Sequence, residues 1–356
     1  MRKMKIGILT FHYACNYGAL FQAVSLFDYL VSLGHEVYMI DYHNKEIEKS
    51  YTIYPSTASN KNFRFYLTLC LRILMRIIRF HNFRRFIRQN LKMINLGDIQ
   101  SLDYIVVGSD QVWNTKLTNG YDSYYWGDFP FKGHIFSYAA SMNAVALTDE
   151  DKKSISLRLS NFSSISVRER AMLQMLSPVT DKRLCLVLDP TMLNDTAYWQ
   201  KRCENKGGNE KYVLAYPLRD GNTVLAIAKA IADEKKYKLK IIKGDTGWNP
   251  FTNIYNTAGP QEVLSLINGA EFVVTSSFHG TALSILLKKQ FYTIKCRDGN
   301  NVRTESILNL LQLKDRMIEN ISEIDVSSSI NYSNVEEILN IEREKSRTFI
   351  KNSLYE

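Results

Sequence analysis

At 356 residues the chain is too long for one comfortable hydrophobic core, and two domains are expected. Its 45% hydrophobic and 23% charged residues suit an ordinary globular protein, and with no run of 18 apolar residues no helix is expected to span a membrane. Of the +9 formal charge, nine Lys and Arg residues fall between Lys61 and Lys92 without one Asp or Glu, and removing them leaves 36 basic residues against 36 acidic ones; a uniformly basic nucleic-acid coat is excluded, and a local basic surface is expected instead.

The chain opens with a strand-like run, Lys5–Phe11, too short in its apolar part for a signal peptide. A polar loop through Asn16, Tyr17 and Gly18 leads to an amphipathic helix over Leu20–Leu33, which Gly34 is placed to end at C′. Glu36–Tyr42 is the next strand, so the opening reads βαβ and implies a parallel sheet. The first loop lacks GxGxxG, and a dinucleotide fingerprint is absent. Within 61–92, Arg72, Arg76 and Arg79 fall on one helical face near an apolar set of Leu69, Ile73, Ile77 and Phe80. Such a helix can lie in an anionic membrane interface, or it can dock on its own domain with its arginines snorkelling.

Further strands are expected at Tyr104–Gly108, His134–Ser141, Ile165–Glu169 and Leu184–Pro190. The polar stretch Lys201–Lys211 is the expected junction, giving an N-terminal domain over 1–200 and a C-terminal domain over 201–356. The second half alternates again, with strands at Tyr212–Tyr216, Leu239–Lys243, Phe272–Thr275 and Phe291–Lys295, and with Pro260 in the first turn of a helix. The charged tail from Val335 to Tyr355 is expected to be a helix that packs back across the junction. The fold class is therefore α/β, with two Rossmann-like domains facing across a substrate cleft. The five cysteines (Cys15, Cys70, Cys185, Cys203 and Cys296) are scattered without metal-ligand spacing; reduced thiols in a cytoplasmic protein are expected, and no metal cluster.

Phe272–Leu287 carries the strongest local signal: a buried strand, the polar turn Ser276-Ser-Phe-His-Gly280, then an apolar helix. Strand ends that become helix starts are where open α/β sheets place ligands, and the helix N-terminus offers N–H groups to an anion. His279 at that turn is suited to moving protons near neutral pH. Other motifs occur in order: Asn16-Tyr-Gly18, Val107-Gly-Ser-Asp-Gln-Val-Trp-Asn114, Ser137-Tyr-Ala-Ala-Ser141, Ser166-Val-Arg-Glu169 and Leu188-Asp-Pro-Thr191. Together with the His279 turn they resemble the polysaccharide pyruvyl transferase family over roughly Lys5 to Leu313.

The resemblance implies a GT-B-like fold and transfer of pyruvate from phosphoenolpyruvate onto a sugar as a cyclic ketal, with no cofactor beyond that co-substrate. It implies His279 as general acid/base and Arg168 as a holder of the donor's carboxylate or phosphate; a helix-capping or core histidine and a surface salt bridge to Glu169 are the other readings of these two residues. Ser276, Ser277 and Gly280 would complete the donor turn, with Lys295, Arg297 and Arg303 of the following loop as further cations. Some family members carry an arginine two residues before the histidine; here Ser277 stands there, so the charge must come from elsewhere. On the acceptor side, Asn16, Tyr17, Gly18, Asp110, Gln111, Trp113 and Asn114 combine hydrogen-bonding groups with an indole, as a sugar site needs; a buried Trp with an Asx cap is the other reading. Asp189 and Asp41 read as turn residues. The expected acceptor is a capsular or exopolysaccharide precursor on a polyprenyl diphosphate, met at the inner-membrane surface through 61–92. A nucleotide-sugar glycosyltransferase of the same fold and a non-catalytic basic module that binds membrane or nucleic acid are the alternatives.

Overall fold

The computed structural model describes residues 2–50, 63–142, 146–204, 210–243, 254–297, 299 and 301–355, the side chains of 63–68 excepted. Its strands are Lys5–Leu9 (β1), Glu36–Asp41 (β2), Met93–Asn95 (β3), Tyr104–Val107 (β4), His134–Ala140 (β5), Ile165–Val167 (β6), Leu184–Leu186 (β7), Tyr212–Tyr216 (β8), Lys238–Ile242 (β9), Ile254–Tyr255 (β10), Phe272–Thr275 (β11), Gln290–Ile294 (β12) and Met317–Ile318 (β13). Its helices are Tyr17–Ser32 (α1), Lys45–Ser50 (α2), Phe63–Asn90 (α3), Thr115–Thr118 (α4), Asp149–Leu159 (α5), Arg170–Leu176 (α6), Thr196–Lys201 (α7), Gly221–Lys235 (α8), Pro260–Gly269 (α9), Phe278–Leu286 (α10), Val302–Leu310 (α11) and Tyr332–Tyr355 (α12).

Two all-parallel sheets result. The first runs β3-β2-β1-β4-β5-β6-β7 and the second β10-β9-β8-β11-β12-β13. Both follow the doubly wound order, in which the strand sequence reverses beside the first strand, here between β1 and β4 and between β8 and β11. The central strands explain themselves chemically. β4 (YIVV) and β11 (FVVT) are near-continuous apolar runs, buried from Ile105 and from Phe272 onward because helices cover both faces of a parallel sheet. The α/β class with two Rossmann-like sheets is as expected. The edge strands β3, β10 and β13 were not legible: two or three residues carry no period of their own and pair only because a neighbouring strand offers free backbone groups.

Caps set the local boundaries. The Asn16 side chain accepts from the Gly18 and Ala19 N–H groups and starts α1, three residues earlier than the apolar pattern begins. Gly34 takes φ +89° after the helix, as its C′ position requires. The expected strand Ile165–Glu169 stops at Val167, because Glu169 becomes the N-cap of α6.

The chain divides into two compact units, Met1–Ser50 with Ile87–Asn194 and Glu336–Glu356, and Tyr51–Phe86 with Asp195–Val335. This replaces the linear division at residue 200, and residues 205–209 of the expected junction lie outside the described residues. From Glu336 onward α12 belongs to the first unit. It buries Leu339, Ile350 and Leu354. Ser346 Oγ accepts from the Leu188 N–H (2.9 Å), and Arg343 Nε and Arg347 Nη2 donate to the Met192 and Leu193 carbonyls.

The basic segment also departs from its expected place, since most of α3 belongs to the second unit. Phe83 and Phe86 are buried. Arg79 donates to the Lys243 carbonyl at 3.4 Å and its guanidinium lies 5.4 Å from the Phe83 ring centre, while Asn82 donates to the Thr257 carbonyl. Arg79 therefore serves its own unit, and the solvent face is carried by Leu74, Ile77 and Ile78 with Arg84, Arg85 and Arg88. Lys61 and the side chain of Arg64 lie outside the described residues.

The docking of α12 makes a test of the division. Ile350→Ala, which opens a cavity at a fully buried position, is expected to cost about 2–5 kcal/mol, read as a lower urea midpoint. The exposed neighbour Lys351→Ala should leave that midpoint unchanged.

Candidate functional site

In the second unit a small pocket, partly open to solvent, lies at the carboxyl ends of β8, β11 and β12. That is the switch point of the sheet. Its lining includes Leu218 and Arg219 after β8, Ser276 and Phe278 after β11, Cys296 after β12, and Asn301, Arg303 and Thr304 at the start of α11. The loops are tied to one another by short side chains. Ser276 Oγ accepts from the Leu218 and Arg219 N–H groups (3.0 and 2.9 Å) and donates to the Arg219 carbonyl (2.6 Å). Asn301 bridges the 296–301 loop, accepting from the Cys296 N–H and donating to the Cys296 carbonyl, both at 2.8 Å. Asp220 Oδ2 takes the Arg297 N–H at 3.1 Å.

Each expected donor residue can now be placed. Ser277 is the N-cap of α10, its hydroxyl accepting from the Gly280 N–H at 3.3 Å. Gly280 is required by close approach, because a Cβ there would stand 2.5 Å from Thr275 Oγ1 and 2.9 Å from Tyr216 Cδ1. Ser276, Ser277 and Gly280 thus build the turn, and only Ser276 lines the pocket. His279 lies in the first turn of α10, 7% exposed, with its ring edge-on to Phe278 at 5.0 Å. Arg303 lines the pocket with its guanidinium 5.7 Å from the other partner of that ring, Phe278 itself. The rest of the expected cationic loop does not converge. Lys295 is exposed and paired with Glu319 at 2.7 Å, and Arg297 is exposed, while Asn300 lies outside the described residues. The sequence reading missed Arg219. Its signal was present in Tyr216-Pro-Leu-Arg-Asp-Gly221, a cation between a strand end and a helix start.

Arg168 belongs to the first unit, where its side chain is 3% exposed and surrounded by the protein's own acids. Nε donates to Glu169 Oε1 at 2.9 Å, Nη1 to Asp189 Oδ2 at 2.6 Å and to Ser109 Oγ at 3.4 Å, and Nη2 stands 3.8 Å from Asp110 Oδ1. Burial works against the charge, but Glu169, Asp189 and Asp110 more than offset it and raise the guanidinium's pKa. Arg168 sits in a buried ion cluster that binds the exits of β4, β6 and β7. Asp189 is therefore more than a turn residue: Oδ2 meets Arg168 while Oδ1 accepts from the Thr191 N–H and hydroxyl.

The expected acceptor residues are brought to neighbouring strand exits of the first unit, but mostly as framework. Trp113 has no exposed surface. It stacks on Trp126 at 4.9 Å, and its indole N–H goes to the Tyr125 carbonyl, so it is a core residue and no sugar platform. Asn114 caps α4 and donates to Gln111 Oε1 at 2.7 Å. Asn16 caps α1, with Tyr17 and Gly18 buried in its first turn. Asp110, at φ +72°, faces the Arg168 cluster.

Two doubly wound units, the second with an arginine-lined pocket at its switch point, define the class of this protein. Within it, the model of the family described as "Polysaccharide pyruvyl transferase" matches residues 16–298. The chain belongs to the polysaccharide pyruvyl transferase family, and is thereby a transferase of polysaccharide biosynthesis with a pyruvate donor and a sugar acceptor. No curated protein matches it. Similar solved structures include a glycosyltransferase from Rickettsia africae ESF-5, 12% identical with 100% of both chains covered and a TM-score of 0.49. The UDP-GlcNAc 2-epimerase from Methanocaldococcus jannaschii is 10% identical, with 95% of this chain and 92% of that chain covered and a TM-score of 0.46.

The ion cluster predicts its own test. Arg168→Met leaves Asp189 and Glu169 buried without their cation, and should lower stability by about 3–5 kcal/mol in urea unfolding. A midpoint equal to that of the unaltered protein would show the cluster to be dispensable.

Proposed function

We propose that the protein transfers pyruvate from phosphoenolpyruvate to a hydroxyl pair of a sugar, forming a cyclic ketal, and that the donor is held in the second unit's pocket. The observation that carries this reading is the convergence of Arg219 and Arg303 on one pocket that Phe278 also lines, with the ring of His279, the next residue, edge-on to Phe278. Phosphoenolpyruvate bears a carboxylate and a phosphate, and two guanidiniums beside a helix start supply fixed positive charge and N–H donors for them. Arg219 and Arg303 thus take the place of the charge that Ser277 lacks.

The chemistry then needs one proton moved twice. Protonation of the methylene carbon makes the methyl group and leaves an oxocarbenium-like centre at C2. One sugar hydroxyl adds there, inorganic phosphate departs with its bridging oxygen, and the second hydroxyl closes the ring. Of the two hydroxyl protons, one replaces that given to the methyl group and the other leaves with phosphate. His279 is assigned as the group that delivers the first and recovers its replacement. Expected behaviour is phosphate release from phosphoenolpyruvate that depends on a sugar acceptor, measured against a panel of lipid-linked sugars. His279→Ala should lower kcat about 100-fold or more with an unchanged circular dichroism spectrum, and Arg303→Ala should raise the KM for phosphoenolpyruvate about tenfold. Wild-type turnover in His279→Ala would remove the assigned role, and release of a nucleoside diphosphate from a nucleotide sugar would replace the reading with glycosyl transfer.

The acceptor is proposed to be carried on a polyprenyl diphosphate. The exposed face of α3 supports this, with Leu74, Ile77 and Ile78 between 39% and 51% exposed beside Arg84, Arg85 and Arg88. Apolar side chains rimmed by arginines suit an anionic membrane interface, and among the described residues no helix is long and apolar enough to cross a membrane. Reversing Arg84, Arg85 and Arg88 to Glu should abolish sedimentation with phosphatidylglycerol vesicles while sparing turnover on a soluble acceptor. Unchanged sedimentation would defeat the membrane assignment.

A further inference from the structure

At the carboxyl ends of β1 and β2 in the first unit, His12, Asp41 and His43 turn three ligand atoms toward one another, all within 4.8 Å. His12 Nε2 stands 3.6 Å from Asp41 Oδ1, and His43 Nε2 stands 3.0 Å from the same oxygen. The far nitrogens settle what these atoms offer. His12 Nδ1 lies 3.2 Å from the Thr10 carbonyl and His43 Nδ1 lies 2.6 Å from Glu48 Oε1. A carbonyl and a carboxylate only accept, so each Nδ1 carries a proton and each Nε2 is the ring nitrogen left to face Asp41. Two imidazole nitrogens and a carboxylate oxygen thus face one another around a common point. His12 is 1% exposed, and its Nε2 is buried without a hydrogen-bond partner. Such an arrangement requires positive charge among the three, carried either by protons on Nε2 or by a metal ion.

We infer that His12, Asp41 and His43 form a binding site for a divalent transition metal of the zinc class. Two nitrogens and one carboxylate oxygen are the donor set such ions take. Ligand atoms each about 2.05 Å from a tetrahedral zinc stand roughly 3.3 Å apart, between the two separations found here. The outer contacts are those of a built site: a backbone carbonyl orients His12, and a carboxylate orients His43. The His43 ring is further clamped by Tyr13, stacked at 4.2 Å and 12°, whose hydroxyl accepts from the Asn44 N–H at 2.8 Å. With the Asp41 and His43 side chains 46% and 40% exposed, a bound ion would keep coordination positions open on the solvent side for an oxygen ligand.

The full-length, untagged chain, stripped with a chelator, should bind one Co²⁺ with the visible bands of a low-symmetry site, and Zn²⁺ should displace it at one equivalent. His43→Ala and Asp41→Asn are both at exposed positions, which spares the core, and each should weaken Co²⁺ binding at least 100-fold. Glu48→Gln should weaken it 10- to 100-fold, and His81→Ala should leave it unchanged. Failure of the stripped protein to take up Co²⁺, with nitrogen chemical shifts showing both imidazoles doubly protonated, would overturn the assignment by making protons the cations of the cluster. Binding that survives in the Asp41→Asn/His43→Ala double variant would overturn it equally.

Discussion

Everything that can act chemically in this protein depends on parallel pairing. A parallel ladder requires each strand to be followed by a crossover, so all strands of a sheet end on the same edge. In the second unit that edge gathers the exits of β8, β11 and β12, three loops separated by tens of residues in the chain, and makes one pocket of them. In the first unit it gathers the exits of β1 and β2, where the His12 cluster lies, and those of β4, β6 and β7, where Arg168 sits. The reversal of strand order then opens the crevice. Neither pocket nor cluster needs an unusual local sequence; both follow from where the ladder sends the strand ends.

The same edge shows why charge alone is a poor guide to function. Arg168 stands at a strand end in a recognisable motif, which is where a ligand-binding arginine would be sought. The structure surrounds it with Glu169, Asp189 and Asp110 instead. A buried guanidinium is tolerated only when its charge is matched, and besides the adjacent Glu169 the matching acids, Asp189 and Asp110, came from motifs read separately as a turn and a sugar contact. Trp113 follows the same pattern in apolar form. Its indole reads as a carbohydrate platform, yet an aromatic with its N–H satisfied and its face on Trp126 contributes most as core. Arg219 and Arg303 differ because they line a pocket.

Histidine marks the two places where geometry and motif part company. His279 was legible because its neighbours form a strand, a cap and a helix within sixteen residues. Its Ser277 N-cap and the Gly280 close contact are the local reasons that the turn has its sequence. His12 and His43 were not legible. They lie thirty-one residues apart and share no spacing that metal motifs use, and Asp41 between them reads as a turn residue. Only the parallel pairing of β1 with β2 brings Nε2, Oδ1 and Nε2 together.

What the sequence determined by itself was periodic or local: the α/β alternation, the central strands, the first helix with its Gly34 stop, the His279 turn, and the order of motifs that identifies the family. These depend on interactions within a few residues or on burial patterns that repeat every two or 3.6 positions, so they are written in the chain directly. The tertiary structure decided the rest. It placed α3 mostly with the second unit and α12 from Glu336 with the first. It chose Arg219 and Arg303 over Lys295 and Arg297 as the pocket's cations, and drew His12 to Asp41. Each of those outcomes is a meeting of side chains far apart in sequence, and its free energy exists only once the sheets have formed and burial has made an unmatched charge or a facing lone pair costly.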